Sequence, residues 1–337
     1  MKVLLVYKNF SKDCTVSHLG LGVTASYSAK TLRQHGYCAE ALPIFGGDDL
    51  MQILQKRRPA THIVIMAQFI PTNWIARLCR AFPETKFALN CHSNIGFLQA
   101  EPNAIRLLRE AIDLETGIHN FVASGNNKRF VDAMQLMFGR PLHFLPNLYH
   151  LHGFEPIHRP PYNGGTLRLG AFGSHRIYKN FSSAVAAAMI LSHELKTQTE
   201  LWINAGRSDG NGKIVYQTAL AWTTGMPNID LKELHWTSWP QFKRWVGSMH
   251  LLLQPSYTES FNNVTADGTA EGTPSVVSEV IDWAPEAWKA DSDDATEIAR
   301  VGRRLLSDHH AAREGYHHLK EYVRNGLRYW EEWFREP

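Results

Sequence analysis

No stretch of this 337-residue chain approaches the roughly 18 consecutive apolar positions that a membrane-spanning helix needs. The apolar core of Met1–Lys8 is too short for a secretory leader and reads as a first β-strand, so a cytoplasmic protein is expected. Cysteine is scarce. Four residues, Cys14, Cys38, Cys79 and Cys91, are scattered without a Cys-x-x-Cys pair, which argues against a disulfide framework and for reduced thiols. Charge of either sign is balanced: 35 Lys and Arg against 32 Asp and Glu leave a formal net charge of +3, too mild for an obligate nucleic-acid binder. Gly-x-Ser-x-Gly and Walker-type loops are both missing, which argues against serine-hydrolase and P-loop chemistry. No repeat of solenoid period is found.

What is present is the composition of a soluble globular protein, 44% hydrophobic and 20% charged, with a length that suggests two domains. Histidine is plentiful at seventeen residues. Its pairs, His309-His310 and His317-His318, are adjacent and so point to different helix faces, and no metal site is expected from them.

Up to about residue 150, short Val/Ile/Leu strands alternate with helical stretches, the pattern of parallel βαβ units. Strands are expected over Val3–Tyr7, Cys38–Leu42, His62–Met66, Phe87–Asn90, Asn120–Ala123 and His143–Leu145. Leu19-Gly20-Leu21-Gly22-Val23 precedes a helix expected over Thr24–His35 and closed by Gly36. Glycines there could let a phosphate or sugar approach the backbone amides, or could form a plain βα turn. His92 follows the fourth strand, at the carboxyl end where doubly wound sheets bind ligands. A His-, Pro- and Gly-rich stretch to about Gly165 reads as a linker, with the domain boundary near residue 160.

A second series begins at Leu167. A strand ends at Gly173, a loop carries Arg176 and Lys179, and an apolar helix runs over Phe181–Leu195. Such a loop offers a diphosphate both amide donors and positive charge. Strands are also expected over Glu200–Ala205 and Leu231–Leu234, and a helix over Ser238–Val246. The segment from about Asp308 to Phe334 carries Tyr316, Leu319, Val323, Leu327, Trp330 and Phe334 at three- and four-residue steps, an amphipathic helix that buries this stripe against protein. Acidic Glu331, Glu332 and Glu336 argue against a membrane-surface role for its end.

The most informative segment is Glu259–Val277. It follows Leu251-Leu252-Leu253-Gln254, a buried-strand run halted by Pro255, and places Glu259 and Asp267 eight residues apart. With ~3.6 residues per turn, Glu259 sits at the mouth of a helix and Asp267 about two turns in, so the two acids can address opposite ends of one ligand.

This segment resembles the donor-sugar signature of the retaining nucleotide-sugar glycosyltransferases of the GT-B type, glycosyltransferase family 4. Pro255-Ser256, Glu259-Ser260-Phe261, Asp267, Ala270-x-Gly272-x-Pro274 and Val276-Val277 fall in register with it. Asp267 stands where the pattern usually has Glu, and Asn262 where it has Gly. Lys179-Asn180 matches as well, while Ser174 replaces an Arg, so that Arg176 either fills that role from two residues on or is a solvated loop charge.

The resemblance implies an α/β fold of two Rossmann-like doubly wound domains facing across a cleft. Residues 1–160 would hold the acceptor, 161–307 the nucleotide-sugar donor, and 308–337 a C-terminal helix crossing back to the first domain. It implies catalytic roles for Glu259 and His92, and diphosphate contacts from Arg176, Lys179 and Gly22. Donor-sugar contacts would come from Glu259, Ser260, Phe261, Asn262 and Asn263, and a ribose contact from Asp267. Transfer would proceed with retention, with no obligatory cofactor or metal. The acceptor is open among a glycan, a lipid-linked sugar, a small molecule and a modified DNA base. An epimerase or phosphorylase on the same scaffold, and a non-catalytic binding protein descended from a transferase, are the alternatives.

Overall fold

The structure, a computed structural model, describes residues 1–9, 19–57, 60–153, 157, 160–205, 208 and 212–336. The chain divides into two compact units. The described residues up to His150, joined by those from Val323 on, form the first, and the described residues of Leu151–Tyr322 form the second.

The first unit runs β1 (Lys2–Lys8), α1 (Leu19–Gln34), β2 (Cys38–Ile44), α2 (Gly47–Lys56), β3 (His62–Met66), α3 (Thr72–Ala81), β4 (Lys86–Cys91), α4 (Ile95–Leu98), α5 (Pro102–Glu115), β5 (Phe121–Gly125), α6 (Lys128–Phe138) and β6 (His143–Phe144). Its strands pair in parallel in the order β2-β1-β3-β4-β5-β6. Successive side chains of a strand face opposite sides of a sheet. Leu4 and Val6 therefore join one core with Leu50, Leu54, Ile75 and Leu78, while Val3 and Leu5 join another with Ala25, Leu32, Trp330 and Trp333. Burying both faces of the sheet explains why its strands read as unbroken apolar runs.

In the second unit, β7 (Leu167–Ala171), α7 (Phe181–Leu195), β8 (Thr199–Asn204), α8 (Gly212–Thr223), β9 (Ile229–Leu234), α9 (Trp239–Gly247), β10 (Leu251–Gln254), α10 (Asn263–Ala270), β11 (Ser275–Val277) and α11 (Ala295–Ser307) alternate in the same way. The parallel order is β11-β10-β7-β8-β9, so the winding reverses between β7 and β10. Ligands of open α/β sheets bind outside the carboxyl ends of the strands at such a switch point. The last helix, α12 (Ala311–Arg335), has residues in both units. Among the described residues no helix is long and apolar enough to cross a membrane.

Two boundaries differ from expectation. The division falls after His150 rather than near residue 160, because Leu148 and Tyr149 are still bound into the first unit. Leu148 N donates to Ser28 Oγ, its carbonyl accepts from Thr31 Oγ1, and the Tyr149 ring meets Tyr27 edge-on at 4.9 Å. Part of the expected linker, residues 154–156 and 158–159, lies outside the described residues. Helix α1 begins at Leu19 rather than Thr24, so Gly20 and Gly22 are helical instead of forming a loop. A Cβ on Gly22 would stand 2.9 Å from the Tyr7 ring. That glycine lets α1 press onto β1, a packing role that replaces the expected phosphate-approach turn.

Candidate active site

The carboxyl ends of β7 and β10 carry the residues that the sequence singles out in the second unit. After β7 the chain passes Gly173, whose φ of +130° is a conformation that side-chain-bearing residues rarely adopt. A Cβ there would sit 3.6 Å from the Lys179 side chain, which runs over the glycine. A 3₁₀ turn, Ile177–Lys179, follows, with Arg176 half-buried at its start. Asn180 ends this turn in the left-handed conformation, φ +55° and ψ +48°, which explains an Asn at this position. Its buried amide donates to the Pro255 carbonyl at 3.0 Å, tying the loop after β7 to the end of β10.

From that end the chain reaches Glu259. The Lys179 ammonium forms an ion pair with Glu259 Oε1, the two side chains being 17% and 13% exposed. The same oxygen accepts from Ser256 Oγ at 3.1 Å and Asn262 Nδ2 at 3.3 Å. Ser260 and Asn263 are half-buried beside it and Phe261 is buried. The Phe261 ring packs at a tilt against Trp283 and Tyr322, centroids 5.5 and 5.4 Å away, and its carbonyl accepts from Trp283 Nε1 at 2.7 Å. Asn262 is left-handed at φ +66° and caps α10, its Oδ1 accepting from Thr265 N at 2.9 Å. Asn is the side-chain-bearing residue best suited to that conformation, which accounts for its standing in place of Gly. Asp267 lies inside α10 with no solvent exposure. The structure therefore gathers Lys179, Glu259 and Asn262 at the switch point, with Arg176 in the same loop, and encloses Asp267 rather than presenting it at the surface.

In the first unit, His92 follows β4 directly. It keeps some exposure, yet protein surrounds it closely enough that burial pushes its pKa down to about 3, so the ring is neutral at pH 7. Asn126 Nδ2 stands 3.1 Å from His92 Nδ1 and 3.2 Å from Asn147 Oδ1. An amide nitrogen only donates, so Nδ1 accepts and the ring proton belongs on Nε2. Around it Asn90, Ser124, Asn126 and Asn147 are buried, Ser124 Oγ donating to the Leu89 carbonyl and Asn90 Nδ2 to the Leu145 carbonyl. This polar lining at the carboxyl edge of the sheet holds His92 as a neutral hydrogen-bond donor.

No protein-family model matches the sequence, and no curated protein matches it. Solved structures do. Anabaena HepE, in complex with UDP and glucose, matches with a TM-score of 0.65 at 12% identity, over 99% of this chain and 99% of that one. Sucrose-phosphate synthase from Thermosynechococcus elongatus matches at 0.64 and 14% identity, over 98% of each chain. TarM of S. aureus, in complex with Fondaparinux, alpha-GlcNAc-glycerol and UDP, matches at 0.60 and 12% identity over 82% of this chain, which spans 55% of TarM. The fold is that of the GT-B glycosyltransferases.

Within this GT-B fold, sequence reasoning gave no site role to four residues that shape the site, Gln254, Ser256, Trp283 and Asn126, although Ser256 falls in the signature register. Gln254 and Ser256 close a strand and read as punctuation, although Gln254 is 3% exposed and Ser256 fully buried. A polar side chain inside an otherwise apolar strand run is the signal that could have marked Gln254. For Trp283 and Asn126 the local sequence offers no such cue.

Proposed function

We propose that this chain is a glycosyltransferase that takes a sugar from a nucleotide-sugar and passes it to an acceptor hydroxyl with retention. The observation that carries the proposal is the convergence of Lys179 and Glu259 at the switch point of the second sheet, within a segment in register with the donor signature. UDP is the nucleotide chosen, since it is the one bound in the HepE and TarM complexes.

In the reaction the bond between the anomeric carbon and the diphosphate oxygen breaks, and a bond to the acceptor oxygen forms. The nucleoside diphosphate departs with the bonding pair, and its leaving oxygen takes the proton of the acceptor hydroxyl. Charge develops on the leaving diphosphate, and Lys179, with Arg176 in the same loop, neutralises it. The N-terminal amides of α10 add to that, other than the Thr265 amide that Asn262 takes. Glu259, once the diphosphate draws Lys179 away, grips sugar hydroxyls and favours the electron-poor sugar in the transition state. Ser260, Phe261 and Asn263 shape the surface beside it. Asp267 meets the ribose only if α10 shifts on binding, because its side chain is enclosed.

The first unit takes the acceptor, with His92 donating through Nε2 to a hydroxyl once the acceptor's binding opens a way to that enclosed nitrogen, rather than acting as a base, for a ring with a pKa of about 3 is too weak a base at neutral pH. Lys179 supplies at the diphosphate the positive charge that a divalent ion would otherwise provide, so transfer proceeds without an obligatory metal. A cytoplasmic setting completes the reading and agrees with free thiols at Cys38, Cys79 and Cys91.

The test is a thermal-shift screen of wild type and Lys179→Ala against UDP-, GDP-, ADP- and dTDP-sugars, followed by assay of diphosphate release. Stabilisation by the UDP-sugars, lost in the variant, with UDP released in wild type, supports the proposal. No shift with any donor overturns it. The anomeric configuration of the product and the activity left in excess EDTA test retention and metal independence.

A further inference from the structure

The side chain of Asn262 has every polar atom in use while only 3% of the residue is exposed. Its Oδ1 accepts from Thr265 N at 2.9 Å, which fixes the orientation of the amide, because a backbone N–H can only donate. Nδ2 is therefore the nitrogen. It donates to Gln254 Oε1 at 3.2 Å and to Glu259 Oε1 at 3.3 Å. Gln254 is oriented by the same logic, its Nε2 donating to the Phe172 carbonyl at 3.1 Å. A chain of hydrogen bonds thus links the backbone at the end of β7, through Gln254 at the end of β10, to Asn262, whose Nδ2 donates both back to Gln254 and on to the carboxylate of Glu259.

We propose that Asn262, oriented by Gln254, is a positioning residue that keeps the Glu259 carboxylate in place when the donor diphosphate takes Lys179 from it. In the resting protein one oxygen of Glu259 receives Lys179, Ser256 and Asn262 together. Without Lys179, Ser256 and Asn262 still donate to that oxygen, and Asn262 is tied through Gln254 to the ends of both strands. A glycine at this position would satisfy the left-handed backbone but would supply no donor. Asn262 accordingly leaves the group of side chains expected to touch the sugar and acts through Glu259. This inference rests on the proposed transferase reading for its kinetic consequence but not for its geometry.

Two variants test it. Asn262→Gly suits the left-handed backbone, and Gln254→Met keeps the buried volume while removing the amide. Crystal structures of Lys179→Met, alone and combined with each variant, are the first measurement. In Lys179→Met alone the Glu259 carboxylate stays on Ser256 and Asn262, and with either variant added it is displaced from that position. An unmoved carboxylate in both variants overturns the proposal, whatever the activity.

The second measurement is UDP release from UDP-glucose. A hydrogen bond to a charged group lost at the reacting sugar lowers kcat by roughly ten- to a hundredfold, with the donor KM changed less than about twofold. The double variant falls no lower than the weaker single, since both act through one chain. Wild-type kcat in both variants alongside an inactive Glu259→Gln overturns the positioning role and leaves the transferase reading standing. Wild type that turns over no nucleotide-sugar overturns the transferase reading, and the carboxylate position in the crystals still decides this one.

Discussion

Lys179 and Glu259, eighty positions apart in sequence, form an ion pair at the point where the winding of the second sheet reverses. Neither side chain is more than 17% exposed. A pair this enclosed is weakly screened, and removing one member strands the other charge in poor solvent. Lys179→Met and Glu259→Gln are each expected to destabilise the protein, while the double variant recovers part of the loss, with a coupling of roughly 1–3 kcal/mol. Urea denaturation of the four proteins measures it. Strictly additive effects would mean that the pair carries no interaction energy.

His92 makes a prediction about what pH does not do. Its pKa of about 3 leaves the ring neutral throughout the range from pH 5 to 8, so the pH profile of kcat/KM should show no step from this group there. His92→Gln, which can still donate a hydrogen bond, should keep more activity than His92→Ala at every pH. A step near pH 6.5 that disappears in His92→Gln would show that the ring titrates normally and that its assignment as a fixed donor is mistaken.

His62 lies at the start of β3, with Trp333 and Phe334 of α12 meeting its ring at 5.0 Å each. Burial, and then the positive charge of Lys86, push its pKa down to about 4 from an ordinary 6.5. The folded protein therefore binds this proton less readily than the unfolded chain. Stability is lost as pH falls from about 6.5 toward 4, and the loss is complete below the folded value. His62→Phe keeps an aromatic ring against Trp333 and removes the titration. Its Tm should fall less than that of wild type between pH 7 and pH 4.5, and parallel falls would contradict the assignment.

Much of this fold is legible in the sequence because apolar runs and their breakers are local signals. The strand over His62–Met66 and the helix over Phe181–Leu195 are found with the expected ends, one marked by an unbroken run of β-branched and apolar residues, the other by length and alanine content. The start of α1 was not legible, since a glycine that packs a helix against a tyrosine looks the same in sequence as one that opens a loop. At the candidate site, Lys179 and Glu259 stood out through their chemistry and neighbours. The bonds from Gln254 to Phe172 and to Asn262 did not, because a hydrogen bond across two strand ends, spanning 82 positions in the first case, leaves no periodic trace. Nor could spacing alone tell that Asp267, two turns from Glu259, would face inward: the helical period sets the angle between two residues and not which side of the helix is covered.

Glu115, at the end of α5, shows the opposite pH dependence to His62. Its Oε2 accepts from Ala123 N at 3.1 Å, beside the short β6, which pairs only with Ser124 and Gly125 of β5. The carboxylate thereby satisfies a strand-edge amide that no neighbouring strand reaches. Burial raises its pKa to about 7 against an ordinary 4.5, with the Glu336 carboxylate adding to the rise and the Ala123 amide opposing it. The protonated acid is the form that suits the fold. Its contribution to stability is fully present below about pH 4.5 and is lost as pH rises through about 7. Glu115→Gln keeps an acceptor for Ala123 and carries no charge, so it should raise Tm at pH 8.5, with the difference from wild type closing by pH 4.5. A variant less stable than wild type at pH 8.5 would mean that the ionised carboxylate, through its bond to Ala123, is worth more to the fold than its burial costs.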